Sequence, residues 1–231
     1  NPNFHINDST AIFNEKLEIQ DGGGFWPVIE QDNDFSGGTL SLDNNSTLDI
    51  KGEAEFEETN VLINHGSTAT IDELIGYDSK IYVVNDSKLE INKNAEFFET
   101  HLIVKDNSNI IINGELEAEN AAIIGGEIFV YDGGIEIDKS NLNVAGEAGF
   151  AYYDIELNNS SNANFEDKLT LLDSAMLLKN SSTLNVGGEA NFNNSVVELN
   201  NNSNATFENE VIIQNPNFHI NDSTAIFNEK L

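Results

Sequence analysis

Cysteine and arginine are both missing from this chain of 231 residues. Without cysteine there is no disulfide bond, no thiolate metal site and no cysteine nucleophile. All ten basic side chains are lysines, against 40 aspartates and glutamates, so the formal net charge is -30. Nucleic acids and anionic membrane surfaces are bound by neutralising their phosphates with cationic side chains. We therefore expect no nucleic-acid partner and no binding to an acidic lipid surface.

Long apolar runs are also lacking, since none approaches the roughly 18 residues of a membrane-spanning helix. The first residues do not show the cationic and then apolar pattern of a secretion signal. We predict no direct membrane insertion in this segment. Disorder is the first alternative for such an acidic chain, but 39% of the residues are hydrophobic and 14 are phenylalanine, which favours a folded chain.

A short segment centred on serine recurs along the chain, mostly at intervals of about 20 or 21 residues. Its serines are Ser46, Ser67, Ser87, Ser108, Ser140, Ser161, Ser182, Ser203 and Ser223. Clear copies read STLDIKGEAEF from Ser46, SNLNVAGEAGF from Ser140 and STLNVGGEANF from Ser182. Counted from the serine, apolar residues fall at offsets 2 and 4, then 8 and 10, then 15 and 17.

Each interval thus carries three short stretches of period two, which is the period of a strand with one buried face. About 21 residues are too few for a βαβ unit, and they lack helical spacing. The chain is predicted to be all-β, a right-handed parallel β-helix (β-solenoid) of about nine to ten coils, with three short strands per coil. Right-handed connections are the default for parallel strands, and a left-handed solenoid is the open alternative.

Successive coils alternate large and small residues at the same offset. The coil of Ser182 has leucine at offset 2, alanine at offset 8 and Phe192 at offset 10, whereas the coil of Ser203 has Ala205 at offset 2 and Phe207 at offset 4. Coils stack about 4.8 Å apart, so phenylalanine above a smaller residue fills the interior without crowding. The alternation therefore predicts axial stacking.

Two intervals are longer than the others, by about 16 residues before Ser46 and by about 11 before Ser140. We place the additional residues at about 21–38 and about 125–138, as loops on the surface of a single β-solenoid that spans 1–231. The first loop holds the only tryptophan. Phe25 and Trp26 in this loop are our candidate binding residues.

Residues 1–17 (NPNFHINDSTAIFNEKL) recur without change as residues 215–231, after 214 positions. We interpret the chain as one super-repeat of a tandem array in which neighbouring copies of the same repeat stack end to end. With about nine coils spaced about 4.8 Å apart, each unit would advance the rod by about 43 Å. An engineered duplication is the alternative.

The first insertion also contains a pattern typical of a calcium loop. Asp32, Asp34 and Ser36, followed by Gly37, match the opening D-x-D-x-S-G, and Asp43 stands where such a loop closes. A polar turn is the alternative, because a chain rich in Asn and Asp produces such matches by chance. Calcium is the one cofactor that the sequence suggests.

Two further sets of polar residues are expected at the surface. The histidines lack the spacing of metal ligands. The glutamates of the GEA segments recur at offset 7, between inward-facing positions, and should point outwards as aligned carboxylates. These sets are His5, His65, His101 and His219, and Glu53, Glu147 and Glu189.

The segments STLNVGGEANF and NNSNATFENEVII resemble the Asn- and Ser-rich coils of bacterial surface β-solenoids, namely the passenger regions of autotransporters and filamentous haemagglutinin-like adhesins. The resemblance covers most of the chain and rests on pattern and composition. It implies an extracellular, cell-surface location and a role as adhesin or stalk, with host or cell-surface glycans as partners. No functional residue carries over, because these families define none by motif.

The enzymes to weigh for this fold are pectate-lyase-like and pectinase-like. A lyase needs a cation, often arginine, to stabilise developing negative charge, and a charge of -30 repels an acidic polymer. A hydrolase needs clustered carboxylates, which spacing does not single out here. We predict a non-enzymatic structural and interaction protein, a repetitive extracellular rod or stalk segment of a surface adhesin or fibre. The alternative is a carbohydrate-active or carbohydrate-binding β-helix protein.

Overall fold

The computed structural model describes residues 3–7, 9–13, 17–19, 38–119, 121–124, 127–130, 133–215 and 217–230. Every regular element in these ranges is a β-strand. No helix in the described part of the chain has the length and the apolar character needed to cross a membrane. The strands form parallel sheets in a solenoid of about 8 turns with about 21 residues per coil. The predicted all-β class and parallel β-solenoid are confirmed, with close to the predicted number of coils.

Each turn places one strand on each of three faces. The first face is a ten-stranded parallel sheet. Its strands, in order, are Asn3–Asn7, Thr39–Asp43, Asn60–Ile63, Lys80–Val83, His101–Lys105, Gly134–Asp138, Asp154–Asn158, Ala175–Leu178, Val196–Asn200 and Asn217–Asn221.

The second and third faces join into one 17-stranded sheet, because Thr47–Glu57 and Thr68–Tyr77 each run from one face to the next. The other strands of the second face are Thr10–Phe13, Lys88–Ile91, Asn109–Ile112, Asn141–Val144, Asn162–Phe165, Thr183–Val186, Asn204–Phe207 and Thr224–Phe227. The other strands of the third face are Leu17–Ile19, Ala95–Phe98, Leu116–Glu119, Ala148–Ala151, Leu169–Leu172, Ala190–Asn193 and Val211–Gln214.

The core contains the side chains at the predicted offsets, two from each face of a coil. In the coil of Ser182 none of them is more than 1% exposed. They are Leu184 and Val186 on the second face, Ala190 and Phe192 on the third, and Val197 and Leu199 on the first. The prediction that these offsets share one interior is therefore confirmed.

Large and small residues alternate in the inner column of the third face. Phe56 is followed by Gly76, Phe97 and Ala118 in successive coils. A Cβ atom on Gly76 would lie 3.0 Å from Oγ1 of Thr100 and 3.3 Å from Cδ1 of Phe97, so the glycine makes room for both side chains. The second face ends differently, because the rings of Phe207 and the next residue in its column, Phe227, are stacked with centroids 5.2 Å apart.

Two corners of a coil turn through residues in the left-handed region of φ. Asn201 and Asn202, with φ of 54° and 63°, precede the second face, and Asn194, with φ of 52°, precedes the first. Asparagine tolerates this conformation, and its amide also links coils, since Nδ2 of Asn201 donates to Oδ1 of Asn180 at 3.0 Å. Asparagine corners and ladders of asparagine amides are thus present in the structure.

Hydroxyl side chains close both of these corners from the inside. At the corner before the second face, the amide of Ser140 donates to Oγ of Ser161 at 3.3 Å, and Oγ of Ser161 lies within hydrogen-bond distance of the carbonyls of Asn158 and Ile137. At the corner before the first face, the amide of Ser174 donates to Oγ of Ser195 at 3.2 Å. These serines are buried, so each ladder pairs backbone groups that water does not reach.

The second insertion contains an antiparallel hairpin of Ala121–Ile124 with Glu127–Val130. It follows the third-face strand Leu116–Glu119. Gly134–Asp138 is a regular strand of the first face, because Ile135 and Ile137 complete the core there. The additional residues therefore come before position 134, and the end of the expected range 125–138 belongs to a coil.

Candidate functional site

Most of the residues proposed from the sequence as binding or calcium-binding lie outside the described residues. These are Phe25, Trp26, Asp32, Asp34 and Ser36. Asp43 is described, as the last residue of a first-face strand. Its Oδ1 lies 2.6 Å from Nδ1 of His65 and accepts a hydrogen bond from the amide of Asn44 at 3.0 Å. In the described part of the chain, no group of three or more His, Asp and Glu side chains is arranged to hold a metal ion.

The glutamates of the GEA segments lie in a column along the edge of the third face, where lysines interrupt the row. Lys168 occupies the position between Glu147 and Glu189, and its Nζ lies 3.4 Å from Oε1 of Glu189. At the end of the column, Nζ of Lys230 lies 3.8 Å from Oε1 of Glu210. Both ion pairs are solvent-exposed and so contribute little to stability. The column is thus a screened surface row of carboxylates that lysines interrupt.

Apolar side chains point outwards on two faces near one corner. On the first face, Leu62, Tyr82 and Ile103 follow one another in the central column. On the third face, the rings of Tyr77 and Phe98 are stacked with centroids 5.1 Å apart, and Tyr77 is 37% exposed. We call these five residues the apolar patch. Partly exposed apolar groups in an acidic protein mark a place where a partner can bind.

Acidic residues lie beside the apolar patch. Asp78 and Glu99 lie at the corner between the third and first faces, directly after Tyr77 and Phe98, and both have left-handed φ. Burial, reinforced by the charge of Asp78, raises the pKa of Glu99 above its usual value. Burial and the charge of Glu136 likewise raise the pKa of Tyr82. These carboxylates give the patch a negative rim.

The outward side chains of the second face form two regular columns of amides and hydroxyls. They are Asn141, Asn162, Thr183 and Asn204 in one column, and Asn143, Asn164, Asn185 and Thr206 in the other. We call this set the amide face. A long hydrogen bond links the two columns, since Nδ2 of Asn185 donates to Oδ1 of Asn162 at 3.5 Å. In the sequence these residues stand at offsets 1 and 3 from Ser140, Ser161, Ser182 and Ser203 and are all uncharged. Our sequence analysis followed only the offsets of the buried residues and so missed them.

The amide face continues without charge into the next coil at each end. Asn109 and Ile111 extend it on one side, and Thr224 and Ile226 on the other. Nδ2 of Asn141 donates to Oδ1 of Asn109 at 2.8 Å, so the hydrogen-bonded row crosses the second insertion. From residue 109 to residue 227 the second face therefore presents an ordered surface without charged side chains in its two outer columns.

The first face of the same coils is charged in its central column. Glu136, Glu156 and Glu198 point outwards there. The three faces of one solenoid thus differ in chemistry although they share one core.

No protein-family model, no curated protein and no solved structure matches this chain. Its fold defines its class, a parallel β-solenoid of stacked coils.

Proposed function

We propose that this chain is a segment of a repetitive extracellular rod, a non-enzymatic structural and interaction protein of a surface adhesin or fibre. In this proposal its coils stack end to end with the coils of neighbouring copies. The observation that carries it concerns the repeated segment, which occurs as residues 1–17 and as residues 215–231. One copy is paired along one edge, and the other copy is paired along the opposite edge.

The two copies of the segment show opposite edges of the same coil. In the N-terminal copy, Asn3–Asn7 pairs with the following coil through Thr39–Asp43. In the C-terminal copy, Asn217–Asn221 pairs with the preceding coil through Val196–Asn200. Both pairings are parallel and in continuous register. A coil with this sequence therefore fits between two neighbours, as axial continuation of the rod requires.

Burial at the two copies differs in the way that stacking predicts. Ile6 is 5% exposed beneath the next coil, whereas Ile220, the same repeat position, is 47% exposed. Full burial of an isoleucine side chain stabilises by about 1.5–3 kcal/mol. Covering Ile220 with a further coil is favourable for this reason, and the open strand edge gains backbone hydrogen bonds as well.

The interaction part of the proposal rests on the apolar patch and on the loop that the sequence predicts around Phe25 and Trp26. Exposed aromatic groups on a rigid rod give a partner an ordered apolar contact. We propose host or cell-surface glycans as that partner.

The test is small-angle scattering and electron microscopy of this chain and of a chain extended by one further 214-residue unit. The extended chain should be longer by about 43 Å at an unchanged cross-section. Thin filaments should form by end-to-end growth at high concentration. Compact particles, or cleavage of a polysaccharide by the purified chain, would contradict the proposal.

Two isoleucines provide a matched pair of variants for end-to-end growth. Ile220→Asp places a charge on the open end of the core, because Ile220 lies in the same column as buried Leu199. Ile226→Asp adds the same charge at a side chain that is also 47% exposed but points outwards on the second face. Filaments should be lost with Ile220→Asp and retained with Ile226→Asp.

A further inference from the structure

We propose that the amide face is a lateral pairing surface that binds the amide face of a second copy of this chain. The inference concerns the side of the solenoid and goes beyond axial stacking, which uses its ends. It rests on the geometry, the charge and the accessible area of the second face.

The geometry of the amide face repeats in two directions. Along the solenoid axis the side chains recur at the strand spacing of about 4.8 Å, and along each strand at about 6.7 Å. Asn143, Asn164 and Asn185 are directly aligned in successive coils. A second face with the same repeat can match it over its whole length, because every position meets the same spacing.

Charge limits which sides of two copies can come together. The protein carries a formal charge of -30, so most side-by-side arrangements place carboxylates against carboxylates. Neither column of the amide face contains a charged side chain, so this repulsion is absent there. Glu166 and Glu208 lie only at its margin, in a column where Ala145 and Gly187 alternate with them. The amide face is thus where two copies approach at low electrostatic cost.

The chemistry of the face is self-complementary. Each asparagine amide has both donors and an acceptor, so two identical arrays can hydrogen-bond to each other. Paired sheets with interdigitated asparagine ladders form dry, stable contacts at a separation of about 10 Å. A two-fold axis between the copies would bring equivalent residues together, as in other homodimers.

The described hairpin leaves this face clear. The hairpin of residues 121–130 emerges between a third-face strand and a first-face strand. In a coil of three faces that corner is opposite the second face.

The available area predicts weak pairing of single chains. From Asn109 to Thr224 the face spans six strands, about 29 Å long and about 13 Å wide, or about 400 Å². Stable complexes bury about 800 Å² per partner. One chain supplies about half of this area, and two consecutive units would supply all of it. Pairing should therefore strengthen steeply with the number of units.

The experiment compares two double variants of this chain by sedimentation equilibrium and small-angle scattering. Asn164→Asp with Asn185→Asp puts two charges into the amide face without changing side-chain shape. Asn191→Asp with Asn193→Asp makes the same chemical change on the outer side of the third face. We expect the first pair to weaken lateral association by about tenfold or more and the second to leave it nearly unchanged.

The scattering cross-section separates lateral pairing from axial growth. Side-by-side pairing raises the cross-sectional radius of gyration, whereas end-to-end stacking lengthens the particle at constant cross-section. Loss of axial growth with retained pairing would leave this inference standing and remove the proposed rod. A cross-section that stays that of one solenoid at millimolar concentration overturns the inference. So does equal weakening by both double variants, or a thickening that occurs only when a polysaccharide is added.

Discussion

Thr100, Gly133 and Tyr153 occupy the same corner position in three successive coils, each directly before a first-face strand. Other coils have Ser or Thr there, such as Ser174, whose Oγ accepts from the amide of Tyr153 at 3.1 Å. Gly133 follows the second insertion and contributes no side chain. Tyr153 is fully buried, and its hydroxyl donates to the carbonyl of Thr100, two coils away. The tyrosine therefore fills the place of a missing hydroxyl residue.

Tyr153→Phe removes this hydroxyl and leaves a buried carbonyl with one hydrogen bond fewer. We expect the free energy of unfolding, measured with urea, to fall by about 1–3 kcal/mol. Burial raises the pKa of Tyr153 well above its usual value, so the hydroxyl keeps its proton at every pH of such an experiment. Tyr152→Phe, at the neighbouring and more exposed position, is the control and should change stability by less than about 0.5 kcal/mol. Equal losses in both variants would show that the buried hydroxyl has no special role.

Strand positions were predictable because only a period of two fits the spacing of apolar residues. The offsets from Ser46 or Ser182 therefore identified the inner side of each face. The second corner was missed, because its residues vary among Ser, Thr, Gly and Tyr and leave no repeated letter. Handedness stays a prediction, since spacing alone is the same for either hand.

The serine ladder gives a prediction for a whole corner. Ser161→Ala deprives the amide of Ser140 of its buried acceptor and removes the hydroxyl donor from the carbonyls of Asn158 and Ile137. We expect a loss of about 1–3 kcal/mol in the free energy of unfolding, because water does not replace these hydrogen bonds. Hydrogen exchange should accelerate most at the amide of Ser140. Thr170→Ala, on the outer side of the third face, is the control. If exchange at Ser140 is as slow in Ser161→Ala as in the unchanged chain, the ladder does not protect that corner.

The solenoid as a whole aligns its acidic residues, because each position is repeated in every coil. Glu58, Asp78 and Glu99 occupy one corner in three successive coils. Burial and the nearby charge of Asp78 raise the pKa of Glu99, whereas the hydrogen bond from Lys88 lowers the pKa of Glu90. The same fold thus shifts two glutamates in opposite directions. Whether the pKa rises or falls depends on the neighbouring side chains in the column. The sequence alone did not identify these neighbours, because they follow from the register between coils.

These two glutamates predict opposite effects of neutralisation. The folded chain binds the proton of Glu99 more tightly than the unfolded chain, so ionised Glu99 lowers stability at pH 7, and the penalty disappears as the pH falls through the raised pKa. Glu90 contributes stability above its usual pKa of 4.5, which is lost as the pH falls through the lowered value. At pH 7, Glu99→Gln should therefore raise the urea midpoint and Glu90→Gln should lower it. Both differences from the unchanged chain should shrink on acidification below pH 4.5. Shifts of the same sign, or differences that do not change with pH, would contradict the assignment of these charges to their columns.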